Sequence, residues 1–204
     1  MIDLHTGPTS NGWRAAIVLA ESGLKHRVHR VDLTRGDQRT PAFLALNPLG
    51  QIPVIVDHDM ADGRPMTLTE SGAILIHVAE KSGIGLSREP RARAHTLEAL
   101  ANVMTDVYGP FHTLFDLGDQ PKAAVIFDEH LRGALAFWDH RLKQARWLAG
   151  DYSIADMALY PVLLRLENAL GRTYGDLANL QRWMQEMAAR PGVQLGLSLA
   201  GRPQ

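Results

Sequence analysis

Cysteine is absent from this 204-residue chain, so it can form no disulfide, offers no thiolate to a metal and carries no cysteine nucleophile. Any sulfur chemistry must therefore enter on a ligand. Long apolar runs are also missing: no stretch of about 18 uncharged apolar residues could span a membrane, and Met1-Ile2-Asp3-Leu4-His5 shows no basic segment followed by an apolar one of the targeting kind. Neither sign of charge dominates. With 21 Lys and Arg against 22 Asp and Glu, the net charge of -1 gives no footprint for nucleic acid or an anionic membrane. The nine His residues show no HExxH or paired ligand spacing, so no metal site is expected. What is present, 46% hydrophobic and 21% charged residues, is the composition of a globular protein with a sizeable core.

The first part of the chain alternates strand and helix signals. Ile2 to His5 reads as a strand, Gly7 to Asn11 as a loop, and Gly12 to Gly23 as a helix with Trp13, Ala16, Ile17 and Ala20 on one face. Val28 to Leu33 reads as a second strand, Pro41 to Leu46 as a short helix and Pro53 to Val56 as a third strand. Asp62-Gly63 marks the turn before a fourth strand, Met66 to Thr69, and a helix follows from Glu70 or Ser71 to near Gly83. The order is βαβαββα. From Ser87 the pattern is purely helical, with segments at Pro90 to Phe115, Ala123 to Gln144, Ser153 to Gly171 and Leu177 to Arg190. Two domains are expected, 1–82 and 88–204.

Three clusters of residues can carry chemistry. In Asn47-Pro48-Leu49-Gly50-Gln51-Ile52-Pro53-Val54-Ile55, a cis bond before Pro53 would turn the backbone of Ile52 outward, where its N–H and C=O can pair with a peptide-like ligand as an added strand does. The plainer reading is a proline that begins a strand. In Leu68-Thr69-Glu70-Ser71-Gly72-Ala73-Ile74, Ser71 can simply cap the helix. The same helix start with the Ser71 hydroxyl can hold a carboxylate while Glu70 receives an ammonium, which together recognise a free amino-acid end. In Thr6-Gly7-Pro8-Thr9-Ser10-Asn11-Gly12, Ser10 or Asn11 can cap the first helix, or a hydroxyl or amide can donate to a ligand sulfur.

The Pro-Leu-Gly-Gln-Ile-Pro loop followed by Thr-Glu-Ser-Gly-Ala-Ile resembles the glutathione-binding signature of the glutathione transferase family, and the resemblance extends over nearly the whole chain. Leu148-Ala149-Gly150-Asp151-Tyr152-Ser153-Ile154-Ala155-Asp156 resembles the family's helical capping motif, with Ser153 and Asp156 spaced as a capping box. The resemblance implies a thioredoxin-like N-terminal domain and an all-helical C-terminal domain forming the second-substrate pocket. It implies glutathione as co-substrate, bound by Gln38, Gln51, Ile52, Pro53, Glu70 and Ser71, with its sulfur near Thr9, Ser10 and Asn11. Pro8-Thr9-Ser10-Asn11-Gly12 with Gln38 is most similar to the bacterial nu-class and disulfide-reductase branch, in which a Thr and an Asn contact the sulfur; carry-over places these at Thr9 and Asn11. Arg132 approximately matches an arginine of that branch's second helical-domain site.

The resemblance further implies a cytoplasmic homodimer in which Asp106 reaches the partner's glutathione amine. It implies conjugation of electrophiles, or reduction of disulfides or peroxides, with Tyr108, Phe111, His112 and Phe115 either lining the electrophile pocket or packing the core. The loop holds no Tyr, which disfavours a tyrosine-type mechanism, and the missing cysteines exclude cysteine-type classes and a thioredoxin-type CxxC enzyme. The alternative is a non-catalytic binding or assembly module on the same fold.

Overall fold

A computed structural model describes residues 1–117, 120–171 and 175–201. The chain divides into two compact units, one made of residues 1–84 with the C-terminal segment from Arg190, the other running from Gly85 to Ala189.

In the first unit, β1 (Ile2–Thr6) lies in the middle of a four-stranded sheet of order β2-β1-β3-β4, with β2 (His26–Arg30), β3 (Val54–Asp57) and β4 (Met66–Leu68). β1 is parallel to β2 and antiparallel to β3, which in turn is antiparallel to β4. The parallel pair requires a crossover, supplied by α1 (Ser10–Ser22). A short 3-10 turn (Asp37–Arg39) and α2 (Pro41–Leu44) precede β3, and α3 (Ser71–Ser82) follows β4. The thioredoxin-like βαβαββα order is thus present, with β2 placed earlier than Val28 to Leu33.

Helix α1 is buried nearly all round. Ala15, Ala16, Ile17, Val18 and Leu19 are all inaccessible, although the sequence reads as having one apolar face. The reason lies at the far end of the chain. α9 (Pro191–Ala200), an element with no counterpart in the sequence reading, packs along α1, which also contacts α3. A β-carbon at Gly196 would stand 2.6 Å from Ile17 Cα, so the helix backbones meet where no side chain fits. Arg190 pairs with Glu21 at 2.9 Å, and the Trp13 indole donates to the Gly201 carbonyl at 2.7 Å. The last helix belongs with the first unit by packing, whereas the expected boundary assigned everything after residue 88 to the helical domain.

The second unit holds α4 (Pro90–Asn102), α5 (Tyr108–Asp116), α6 (Pro121–Leu142), α7 (Ile154–Leu170) and α8 (Ala178–Ala188). The segment expected as one helix from Pro90 to Phe115 is interrupted by a π-helical turn at Val103–Val107. Pro110 accounts for it: lacking an N–H, it cannot bond the Asp106 carbonyl one turn back, and the ladder widens there. The capping box at α7 is complete. Ser153 caps the helix while Asp156, wholly buried, accepts from the Ser153 N–H at 2.9 Å. Asp156 also accepts from the Leu148 N–H at 3.1 Å and the Trp183 indole at 2.8 Å, tying the loop before α7 to α8.

Candidate functional site

The first unit gathers most of the expected site residues at one end of the sheet. α1 begins immediately after β1, and Thr9, not Ser10 or Asn11, is its cap: its hydroxyl oxygen accepts the Gly12 N–H at 3.0 Å. Ser10 is buried, while Thr9 and Asn11 are half-buried. Gly12 makes this close entry possible, since a β-carbon there would lie 2.2 Å from the Gly7 carbonyl oxygen and 2.7 Å from Thr6 Oγ1. The Thr6 hydroxyl donates to the Gly12 carbonyl at 3.0 Å, which fixes the loop against the helix.

The peptide bond between Ile52 and Pro53 is cis, and Asn47 Nδ2 donates to the Gln51 carbonyl at 2.8 Å to hold the preceding loop. The Ile52 side chain reaches the loop as well, with its Cδ1 against Gly7. Gln51 is exposed. Gln38 donates from Nε2 to the Leu33 carbonyl at 3.5 Å, and its Oε1 is buried without a hydrogen bond. Beside it Arg39 donates to the Leu49 carbonyl at 3.4 Å, which carries a cation to the same loop; nothing in the sequence pattern singled it out.

Glu70 has φ 65 and ψ 114, the one non-glycine residue with positive φ among the described residues. Such a conformation costs about 1–3 kcal/mol and is retained where surrounding structure imposes it, commonly at ligand sites. Glu70 occupies the N-cap position of α3 without a side-chain cap bond, so its carboxylate stays exposed and the first turn of α3 has no side-chain acceptor. Ser71 does not cap either. Its hydroxyl turns toward α1, donating to Asn11 Oδ1 at 3.1 Å and accepting from Arg14 Nη1 at 3.3 Å. Arg14 also donates to Asn11 Oδ1, at 2.7 Å. The start of α3 and the first two turns of α1 thus form one polar network. Arg14 was missed because it lies among apolar residues of α1; an arginine in such a run is itself the signal, since a buried charge needs partners.

Asp106 belongs to the second unit. It sits on the π-helical turn, accepting from Asn102 Nδ2 at 2.6 Å and Thr105 Oγ1 at 3.1 Å, and borders a cleft of about 510 Å³ with Glu129, His130 and Phe137. On α5, Tyr108 meets Phe111 at 5.9 Å and His112 at 5.5 Å between ring centroids, and Phe111 meets Phe115 at 5.0 Å. The row divides: Phe111 is core, while Phe115 is exposed. Arg132 forms an ion pair with Asp176. Trp138, Trp147 and Trp183 are all buried core residues. Among the described residues, no group of three or more His, Asp or Glu side chains could hold a metal ion, and no helix is long and apolar enough to cross a membrane.

A cis-proline loop, a positive-φ acidic residue at a helix start and a polar segment at the start of α1 on a thioredoxin-like sheet, together with a helical second unit, are the features that the resemblance to the glutathione transferase family implies. The family models agree: the N-terminal domain of glutathione S-transferase matches residues 10–81 and the C-terminal domain matches residues 101–191. The chain belongs to the glutathione transferase family. It is 38% identical over 203 residues to the disulfide-bond oxidoreductase YfcG of Escherichia coli, covering 95% of this chain and 93% of that protein. It is 35% identical to glutathione S-transferase 3 of Zea mays, covering 95% and 91%. Among solved structures, a glutathione transferase from Pseudomonas putida with one glutathione disulfide bound per subunit superposes with a TM-score of 0.90 at 31% identity, covering 98% of this chain and 92% of that one.

Proposed function

We propose that the protein is a glutathione-dependent enzyme that reduces small disulfides, taking glutathione as co-substrate and no metal. The observation that carries this reading is the network of Asn11, Arg14 and Ser71 at the start of α1 and α3, in a chain with no thiol of its own to oxidise and reduce. The γ-glutamyl end of glutathione has an ammonium and a carboxylate. Glu70 receives the first; the start of α3 with the Ser71 hydroxyl receives the second. The backbone of Ile52 pairs with the cysteinyl residue as an added strand, with Gln51 at the same loop, and Gln38 meets the glycine end. Asn11 and Thr9 donate to the sulfur, which favours thiolate over thiol.

The thiolate attacks one sulfur of a disulfide R–S–S–R. An S–S bond forms to glutathione, the original S–S bond breaks, and one thiolate leaves with the electron pair. A second glutathione thiolate attacks the mixed disulfide, giving glutathione disulfide and the second thiolate. Every sulfur that reacts in these two steps belongs to a ligand. The similarity to a disulfide-bond oxidoreductase and to a transferase holding glutathione disulfide supports this reading over conjugation. Conjugation of electrophiles is the second reading, favoured by the aromatic row of α5. Steady-state assays with glutathione and either a small disulfide or a halogenated aromatic decide between them. Turnover with the disulfide is expected. Turnover with the aromatic alone would support conjugation, and inactivity with both, alongside heat of glutathione binding, would leave a binding module.

The same reading is of a cytoplasmic protein, since the cytoplasm keeps thiols reduced, and, by the family resemblance, of a homodimer. Asp106, its carboxylate held by Asn102 and Thr105, is then an acidic contact for the partner's glutathione amine. Sedimentation of a monomer alone would contradict the dimer.

A further inference from the structure

Arg14 is 0% exposed, on the second turn of α1, and has no counterpart among the residues to which the sequence pattern assigns chemistry. A guanidinium has donors only. The end of the Asn11 side chain that faces it at 2.7 Å must therefore be the carbonyl oxygen, because turning the amide over would set N–H against N–H. Ser71 reinforces the choice by donating to the same oxygen at 3.1 Å. The charged donor on Oδ1, which stays when the Ser71 hydroxyl turns to an arriving carboxylate, also polarises the amide, and the Nδ2 hydrogens become stronger donors for it. A neutral side chain at position 14 would remove the charged donor that selects Oδ1. The Ser71 hydroxyl, which can accept as well as donate, would tolerate the turned amide, which presents oxygen, an acceptor, where a thiolate needs a donor.

We infer that Arg14 is the positioning residue of the thiolate site: it fixes which end of the Asn11 amide meets the glutathione sulfur and ties that amide to Ser71 at the start of α3. This rests on the glutathione-dependent reading above. The competing explanation is a structural arginine whose only task is to satisfy polar groups between α1 and α3. The two differ in kinetics. A positioning role acts through Asn11, so its effect falls on turnover and vanishes when Asn11 is gone. A structural role lowers stability and spreads over every kinetic parameter through the folded fraction.

The test is a set of variants, Arg14→Met, Arg14→Lys, Asn11→Ala and the Asn11→Ala/Arg14→Met pair, assayed with glutathione and hydroxyethyl disulfide below each variant's own melting temperature. Arg14→Met is expected to lower kcat on the order of ten-fold, with the KM for glutathione changed less than about three-fold. Arg14→Lys, which keeps the charge and a donor, restores most of that loss. In the Asn11→Ala background, Arg14→Met costs no further turnover. Should Arg14→Met not fold, Arg14→Gln carries the same test, since it is neutral and brings an acceptor that permits the flipped amide. Loss of thermal stability with kcat unchanged overturns the inference, as does a full loss repeated in the Asn11→Ala background. Wild-type turnover with Asn11→Ala equally active overturns the positioning role and the role given to Asn11, while the glutathione-dependent reading stands. Absence of wild-type turnover overturns that reading itself.

Discussion

Asn11 Oδ1 and Ser71 Oγ lie 3.1 Å apart although 60 residues separate them in the chain. One belongs to the first turn of α1, which would face the sulfur of glutathione, and the other to the start of α3, which would hold its carboxylate. The bond gives each a distinct expected loss. Ser71→Ala removes a hydroxyl that must turn from Asn11 to an arriving carboxylate, and is expected to weaken glutathione binding by about 1.5–3 kcal/mol. Asn11→Ala is expected to lower kcat with a smaller change in affinity. Calorimetry and steady-state kinetics on both variants check the division, and equal losses in both parameters for the two would contradict it.

Glu70 holds a positive φ that a β-carbon resists. At ordinary positions Gly is less stable than Ala; here the order is expected to reverse, with Glu70→Gly more stable than Glu70→Ala by about 1 kcal/mol. Both variants lose the carboxylate and both should bind glutathione weakly. Denaturant unfolding of the pair measures the first expectation, and a Glu70→Ala protein at least as stable as Glu70→Gly would show that the backbone is unstrained.

How much of this was legible follows from where the constraint resides. Pro53, Glu70 and Ser71 stand at turn and cap positions, where local chemistry alone narrows the residue type. Their neighbourhood could be read directly, although the Ser71 bonds to α1 could not. Arg14 obtains its meaning from Asn11 and from Ser71 on another helix. α9 escaped because Pro191, Gly192 and Gly196 weaken its helical signal, and Gly196 is there to let Ile17 approach. The π-helical turn depends on Pro110, whose influence appears one turn before its own position. The Thr9 cap lost to Ser10 and Asn11 in the sequence because the helix begins earlier than its apolar periodicity.

Asp156 separates folding from chemistry. Removing its carboxylate orphans the N–H groups of Leu148, Ser153 and the Trp183 indole, so Asp156→Ala is expected to cost about 3 kcal/mol or more. Glutathione affinity of the folded protein should be unchanged, which calorimetry at low temperature can verify.

Burial pushes the Asp156 carboxyl up to about 6 against the hydrogen bonds that favour its ionised form. A folded value above the unfolded one means the native state binds the proton more tightly. The group's contribution is therefore fully present below the unfolded value of 3.8 and is lost as pH rises through about 6. The stability difference between wild type and Asp156→Asn should grow as pH falls from 7 toward 4.5, with other titrating groups cancelling in the comparison. A difference that shrinks over that range would reverse the sign.

Gly12 is a steric requirement of the loop before α1. With a β-carbon 2.2 Å from the Gly7 carbonyl oxygen, Gly12→Ala must displace backbone and is expected to cost about 1–3 kcal/mol and to impair turnover together. Thermal unfolding with parallel kinetics checks this, and a fully active, equally stable variant would show that the loop yields freely.

A crystal structure of the protein with glutathione tests the central claim most directly. The account predicts the sulfur within hydrogen-bond distance of the Asn11 amide nitrogen or the Thr9 hydroxyl, the cysteinyl backbone paired with Ile52, the ammonium at Glu70 and the γ-glutamyl carboxylate on the first turn of α3 beside Ser71. Glutathione bound elsewhere, or bound here with its sulfur turned away from Thr9 and Asn11, would contradict it.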